Sequence, residues 1–291
     1  MKPEARNPHL DQLNPDYLYH LGLDTGMDIK GMFGDVKYVC MGGSSVRAED
    51  FAKKATEEFG IDVPEGGIKP IGKTERFSLF KVGPVISVSH GMGMPSMLIL
   101  LHEIAKLCDY AGCQDVKFIR IGTSGGVGVE PGTVIVAEEG LNAKLEPAFE
   151  QVELGETYKY PTGLDKKLSR EIMDAKGEIR AQIGKTMGTD DFYEGQGRLD
   201  GALQPRYTEA DKMAFLRKAH AVGVRNIEME APAFAAFCNR AGIPGADVCT
   251  TLLDRLKGDQ VTSTPQQLAE FSDNAQRVVI NYIRGQLAKA V

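Results

Sequence analysis

The sequence predicts an α/β protein: a three-layer domain in which a central mixed β-sheet is flanked by helices. Three observations carry that expectation. Apolar runs of strand length alternate with longer stretches of helical periodicity along most of the 291 residues. Several runs end in small-residue turns that open a helix, as at Gly42-Gly43-Ser44-Ser45 and Gly91-Met92-Gly93. No composition break and no repeat period divides the pattern, so residues 31–291 read as one domain behind an N-terminal arm, residues 1–30.

The arm is polar, carries Pro3, Pro8 and Pro15 and shows no sustained periodicity, so its order requires a surface to lie on. The body opens with a strand at 36–41 and a helix at 47–58. Strands at 76–82 and 84–90 flank Gly83, and the mostly apolar helix at 94–107 must be covered on most sides. A strand at 116–121 ends at the turn Gly122-Thr123-Ser124-Gly125-Gly126, and another follows at 133–137. Residues 138–162 read as a long irregular excursion, 164–180 as a helix and 185–187 as a strand. Beyond the loop at 192–198 come a helix at 208–221, a strand at 224–227 and a helix whose first turn contains Pro232. The last strand is 246–253. Thr264-Pro265-Gln266-Gln267 then supplies a capping threonine, proline at the first helical position and glutamine at the third. Leu268, Phe271, Ala275, Val278, Val279, Tyr282 and Ile283 form the apolar stripe of that terminal helix.

Composition narrows the function classes. The chain is 42% hydrophobic and 25% charged with a net charge of −6, so no global basic field exists to hold nucleic acid or an acidic membrane. An anionic ligand needs a local arginine cluster. The opening residues lack a signal-peptide apolar core and no apolar run is long enough to span a bilayer, which makes the cytoplasm the expected compartment. The five cysteines contain no Cys-x-x-Cys pair and read as free thiols; no metal site is expected.

The most informative loop is Phe192-Tyr193-Glu194-Gly195-Gln196-Gly197-Arg198. Gln196 offers a donor and an acceptor and Arg198 a rigid cationic fork, a pair that matches the O2, N3–H and O4 edge of uracil with Phe192 stacked on the ring. Taken alone, the same residues also make an ordinary polar turn. Gly42-Gly43-Ser44-Ser45-Val46-Arg47 outlines a phosphate pocket, with small residues that let backbone amides approach an anion and an arginine on the first helical turn; a tight turn with a solvated arginine fits it too. Arg120 lies near the end of an apolar strand, where burial without an anion is costly, and Thr123 adds a neutral donor. Arg76 is a third candidate arginine, or an exposed strand cation. Glu228-Met229-Glu230 falls where a strand hands over to a helix, so a carboxylate there, Glu230 above all, can accept the paired hydrogen bonds of a sugar diol or simply favour a helix start. Gly91-Met92-Gly93 lacks the third glycine of a dinucleotide fingerprint, and His102-Glu103 reads as a helix-packing feature.

Together these segments resemble the uridine phosphorylases of the nucleoside phosphorylase superfamily, the animal branch more than the bacterial one. The match runs through Asn7-Pro8-His9-Leu10, Tyr19-His20, Gly34-Asp35-Val36-Lys37, Gly42-Gly43-Ser44, Ser89-His90-Gly91-Met92-Gly93, Arg120 to Gly126, Phe192 to Leu203 and Arg225 to Glu230. The resemblance implies the nucleoside phosphorylase fold and a pentosyltransferase of pyrimidine salvage that converts uridine and phosphate reversibly to uracil and ribose 1-phosphate. Gly43, Arg47, Arg120 and Thr123 would hold phosphate; Phe192, Gln196 and Arg198 the base; Met229 and Glu230, with Glu228 close by, the ribose. Arg120, Arg198 and Glu230 would carry the catalysis. In the family a histidine and an arginine arrive from a neighbouring subunit, which maps here to His20 near the ribose 5′-hydroxyl and Arg76 near phosphate. A homodimer with shared active sites is implied, the arm packing on the partner. No cofactor is implied, phosphate being a co-substrate.

Two departures stand out. Bacterial members carry an acidic residue of a potassium site directly after the arginine corresponding to Arg76, whereas this chain has Phe77, so no such ion is expected. Asp254 stands where the uridine enzymes have asparagine, and purine-specific relatives use an aspartate in this region to protonate the base. Broadened or purine specificity, and a nucleoside-binding regulator without turnover, are therefore the alternatives.

Overall fold

The structure, a computed structural model, describes residues 5–63, 65–72, 74 and 76–289. Its chain divides into two compact units, Met1–Arg120 with Phe237–Gly245, and Ile121–Ala236 with Ala246–Val291.

In the first unit the described part of the arm, residues 5–30, makes contacts with its own chain. A 3-10 turn at Pro8–Gln12 precedes an antiparallel pair, β1 (Tyr17–Leu18) and β2 (Leu23–Asp24), and a short helix, α1 (Ile29–Phe33). Leu18, Leu21, Leu23 and Ile29 are buried, although no helical or strand period announces them. The surface they need is helix α3 (Met94–Tyr110) and its end: Lys106 Nζ lies 2.5 Å from Asp16, the Tyr110 hydroxyl donates to Asp16 at 2.7 Å, and Arg6 Nε donates to Asp109 at 2.6 Å. Burial would raise the Asp16 carboxyl, but Lys106 and Tyr110 hold it below its usual range.

The same unit holds β3 (Tyr38–Gly42), α2 (Ser45–Phe59), β4 (Leu79–Val82) and β5 (Val85–Ser89). β3 runs parallel to β5, with Gly42 opposite Ser89, and β4 is antiparallel to β5. Ser44 caps α2 by accepting from the Arg47 amide, and Gly60 ends the helix in the left-handed conformation. Ala48, Phe51, Ala52 and Ala55 recur at helical spacing and form its buried face.

β6 (Lys117–Gly126) begins in the first unit and ends in the second. The second unit continues with β7 (Val134–Leu141), β8 (Ala148–Glu153), β9 (Glu156–Pro161), α4 (Lys166–Asp174), β10 (Ala181–Gly188), α5 (Glu209–Ala221), β11 (Val224–Glu228), the first half of α6 (Ala231–Ala241), which passes into the first unit at Phe237, β12 (Gly245–Asp254) from Ala246 onward, and α7 (Pro265–Lys289). Its strands lie in the order β11-β10-β7-β12-β6, and β11 also pairs antiparallel with β6. β10 is parallel to both β7 and β11, while β12 is antiparallel to β7, so the sheet is mixed as expected. Val127, Leu141, Met187, Leu216, Ala219, Val224 and Ile227 form a buried cluster beneath α5.

Three expectations fail here. The segment expected as a turn, 122–126, is strand, because its small residues are a packing device: a Cβ on Gly126 would lie 2.8 Å from the Leu253 carbonyl and 2.7 Å from Val129. The supposed excursion at 138–162 contains the end of β7 and the β8–β9 hairpin, which turns at Leu154-Gly155 with positive φ at both residues. That hairpin is mostly exposed or half-buried, so it lacks the apolar alternation of a core strand. The helix expected at 164–180 stops at Asp174, since Ala181 already begins the parallel strand β10.

Candidate active site

The second unit carries the base loop. A 3-10 turn at Glu194–Gln196 ends on Gly197, whose left-handed φ of 65° reverses the chain so that Gln196 and Arg198 both turn inward. Gln196 is buried; its amide nitrogen reaches the Glu228 carbonyl at 3.5 Å. The Arg198 fork is closed on Asp200, Nε to Oδ1 at 2.8 Å and Nη2 to Oδ2 at 2.6 Å, with Nη2 also donating to the Asp259 carbonyl at 3.0 Å. One guanidinium nitrogen, Nη1, is left to donate, in place of the open fork that the sequence suggests. Arg198 also lies over the Phe192 ring at 4.6 Å, which gives one face of that ring a cation partner.

Beneath the loop lies a charge cluster that sequence reasoning missed. Arg255, fully buried at the end of β12, donates from Nη2 to the Gln196 carbonyl at 2.8 Å and from Nε to Asp259 at 2.9 Å. Asp259 also accepts from Lys212 at 2.6 Å and from the Leu199 amide at 3.3 Å. Burial would raise the Asp259 carboxyl, yet Lys212 and Arg255 together hold it low. The signal was available, because Arg255 directly follows an apolar strand, and a buried arginine there needs an anion; Arg120, expected near a strand end, instead lies inside β6.

Glu228 ends β11, and Met229 and Glu230 lead from it into α6, so the run stands where strand hands over to helix as expected. Glu228 accepts from the backbone amides of Glu230 at 2.8 Å and Ala231 at 2.9 Å, so its carboxylate caps α6 and fixes the turn that presents Met229 and the buried Glu230. Gly188 packs against this turn: a Cβ there would lie 2.2 Å from the Pro232 ring and 2.9 Å from the Glu228 carboxylate. A buried polar chain, Thr186 to Asn226 at 2.7 Å and Asn226 to Ser124 at 3.0 Å, ties β10, β11 and β6 together. The half-buried Thr123 stands next to Ser124 on that strand. Asp254 turns toward backbone: its Oδ1 accepts from the Gly128 amide at 2.9 Å and the Leu256 amide at 3.1 Å. It is an acceptor, a role that an asparagine carbonyl fills equally.

The first unit carries the candidate phosphate groups other than Thr123. At the adjoining ends of β3 and β5, the Cβ position of Gly43 lies 3.7 Å from Arg47 Nη1, 3.6 Å from the Gly91 carbonyl and 3.9 Å from the His90 ring. Arg47 and two glycine turns therefore converge, as an anion nest requires. Arg120 is buried on β6, whereas Arg76 is exposed beyond β4, outside any strand. His20 sits in the arm with Nδ1 2.6 Å from Glu103 and its ring against the buried Phe77 at 6.1 Å between centroids. Glu103, read from sequence as a packing residue, is thus the partner of a candidate site histidine.

A mixed sheet flanked by helices, with glycine turns at strand ends, defines an α/β protein of the kind that takes small ligands at those ends. The chain belongs to the phosphorylase superfamily, whose family model matches residues 37–284. Uridine phosphorylase 1 of Mus musculus is 47% identical over 99% of this chain and 94% of its own length. A uridine phosphorylase structure from the oomycete Phytophthora capsici is 47% identical with a TM-score of 0.93, covering 98% of each chain. The uridine phosphorylase of Schistosoma mansoni, solved in complex with uracil, is 40% identical with a TM-score of 0.90 over 96% of this chain and 97% of that one. These similarities over nearly the whole chain show the nucleoside phosphorylase fold and the animal-branch resemblance.

Proposed function

We propose that this chain catalyses the reversible phosphorolysis of uridine to uracil and ribose 1-phosphate, a pentosyltransferase reaction of pyrimidine salvage. The observation that carries the reading is the base loop: a buried Gln196 amide beside an Arg198 whose Asp200 clamp leaves one nitrogen to donate. Its support outside the chain is the run of uridine phosphorylase relatives. Uracil leaves C1′ as a delocalised anion, so hydrogen bonds from Arg198 and Gln196 strengthen as charge reaches the ring oxygens and lower the barrier selectively. Each charge-assisted bond contributes about 1.5–3 kcal/mol, roughly ten- to a hundredfold in rate. Gly43, Arg47, Arg120 and Thr123, with Arg76, hold and orient the phosphate nucleophile. Met229 and Glu230 take the ribose diol, with Glu228 acting through its cap on their turn. His20 takes the 5′-hydroxyl.

The reaction needs no cofactor or metal, since phosphate is the nucleophile and the base leaves as a stabilised anion; the apolar, buried Phe77 adds no oxygen ligand beside Arg76. The enzyme is a cytoplasmic homodimer whose arm supplies His20, and whose Arg76 serves phosphate, in the partner's site. Exposed Tyr17 and Tyr19 flank the arm's turn and give that contact apolar area. No nucleic-acid or membrane partner is proposed: a net charge of −6 supplies no global basic field. Among the described residues no helix is long and apolar enough to cross a membrane. Purine specificity loses its motive once Asp254 is an acceptor for two backbone amides.

The test is uracil release from uridine with and without phosphate, with inosine alongside. Phosphate-dependent uracil with little hypoxanthine supports the reading. Cleavage without phosphate makes the protein a hydrolase, preference for inosine makes it a purine enzyme, and uridine bound but left intact makes it a regulator. Shared sites are tested by mixing: H20A and R198A chains, each impaired alone, regain activity as hybrids only if one site draws on two chains.

A further inference from the structure

The Glu103 carboxylate does more than pack α3. Its Oε2 accepts from the backbone amides of His20 at 2.9 Å and Leu21 at 3.0 Å, while Oε1 lies 3.1 Å from the His20 amide and 2.6 Å from the His20 ring at Nδ1. One side chain thus fixes both the backbone and the imidazole of a single residue 83 positions away. A carboxylate at Nδ1 requires the ring proton there, which leaves Nε2 as the lone-pair nitrogen of the neutral ring. Among the described residues no hydrogen bond engages Nε2, and the His20 side chain is 30% exposed against 13% for Glu103, so the ring keeps more solvent access than its anchor. Tyr19, edge-on at 5.1 Å, and Phe77 bound the ring on its sides and limit its rotation.

We propose that Glu103 is a positioning residue that locks His20 as the Nδ1-protonated tautomer, so that Nε2 accepts a hydrogen bond from a nucleoside 5′-hydroxyl. The inference rests on the reading of His20 as a ribose contact and adds what that reading lacks, the direction of the bond. The ribose donates and the protein accepts. A 5′ substituent that cannot donate therefore gains nothing from His20, whatever its size.

The experiment compares kcat/KM for uridine and for 5′-deoxyuridine in the wild-type protein, E103Q, H20A and the double variant. The expected result is a wild-type preference for uridine of about five- to tenfold, the worth of one oriented hydrogen bond. H20A removes that preference, E103Q lowers it while sparing 5′-deoxyuridine, and E103Q adds nothing to H20A. 5′-Deoxy-5′-fluorouridine, which cannot donate, follows 5′-deoxyuridine. An E103Q variant that loses activity equally on both substrates overturns the positioning role and leaves His20 as a ribose contact. An H20A variant that keeps the preference overturns both. Ring nitrogen shifts of His20 supply a readout independent of turnover: neutral wild-type imidazole shows a protonated Nδ1 and a bare Nε2, E103Q shifts the balance toward the other tautomer, and an Nε2-protonated wild type overturns the proposal.

Discussion

Replacing Asp259 with asparagine tests how the base loop is held. Its side chain is 9% exposed and is, among the described residues, the anionic partner of Lys212, at 2.6 Å, and of Arg255 Nε, at 2.9 Å, whose side chains are 6% and 1% exposed. Removing one member of a buried ion pair costs about 3–5 kcal/mol, and the asparagine carbonyl, which still accepts one bond, returns about 1 kcal/mol. A net loss of about 2–4 kcal/mol lowers Tm by roughly 4–16 °C at the slope typical of large domains. The loss has a functional side, because Arg255 holds the Gln196 carbonyl and Asp259 holds the Leu199 amide and, through its own carbonyl, Arg198. KM for uridine therefore rises about tenfold, the equivalent of about 1.4 kcal/mol, while KM for phosphate stays within about twofold. The pH dependence follows from sign. Asp259 is held below its unfolded value, so its contribution is complete above the ordinary carboxylate pKa and is lost as pH falls through the folded value. The stability gap between wild type and D259N therefore closes below about pH 4. Thermal melts across pH and initial rates at varied uridine and phosphate are the assays. A D259N protein with unchanged Tm and unchanged uridine KM would refute the reasoning.

Three further outcomes are expected. R198A lowers kcat/KM for uridine by about ten- to a hundredfold, the worth of its one charge-assisted bond to the base, and leaves phosphate affinity near wild type; a loss under threefold would contradict the base-reading role. D254N changes stability by less than about 1 kcal/mol and leaves the ratio of uridine to inosine turnover unchanged, because both acceptor bonds are kept; a shift in that ratio would return Asp254 to the base site. G188A forces the Pro232 ring away and costs about 2–3 kcal/mol with a marked fall in activity, since the helix start it displaces carries Glu228 to Glu230; normal Tm and rates would show that the turn yields cheaply.

Much of the framework was legible because burial imposes period. β3, β5, β12 and the helices α2, α5 and α7 appear close to where apolar spacing and caps place them, the Thr264 cap and Pro265 start included. What escaped was held together by contacts distant in sequence. The arm has no period because single leucines enter the first unit one at a time and Asp16, Arg6 and His20 find partners on α3 some 80 to 100 residues away. The β8–β9 hairpin escaped because it lies mostly at the surface. In the site, Gln196 and the Glu228 turn were legible from residue type and chain position. The closing of Arg198 on Asp200 and the support of the loop by Arg255, Asp259 and Lys212 were not, since oppositely charged neighbours in sequence can equally point to water. Asp254 shows the converse: residue type suggested an acid, and only the two backbone amides at its oxygen make it a loop anchor.

The most direct test of the central claim is phosphorus NMR of the protein with uridine and orthophosphate. The account predicts a ribose 1-phosphate resonance that grows in step with uracil and reverses when uracil and ribose 1-phosphate are supplied instead. Uracil accompanied by free ribose, or uridine that persists unchanged beside phosphate, would contradict it.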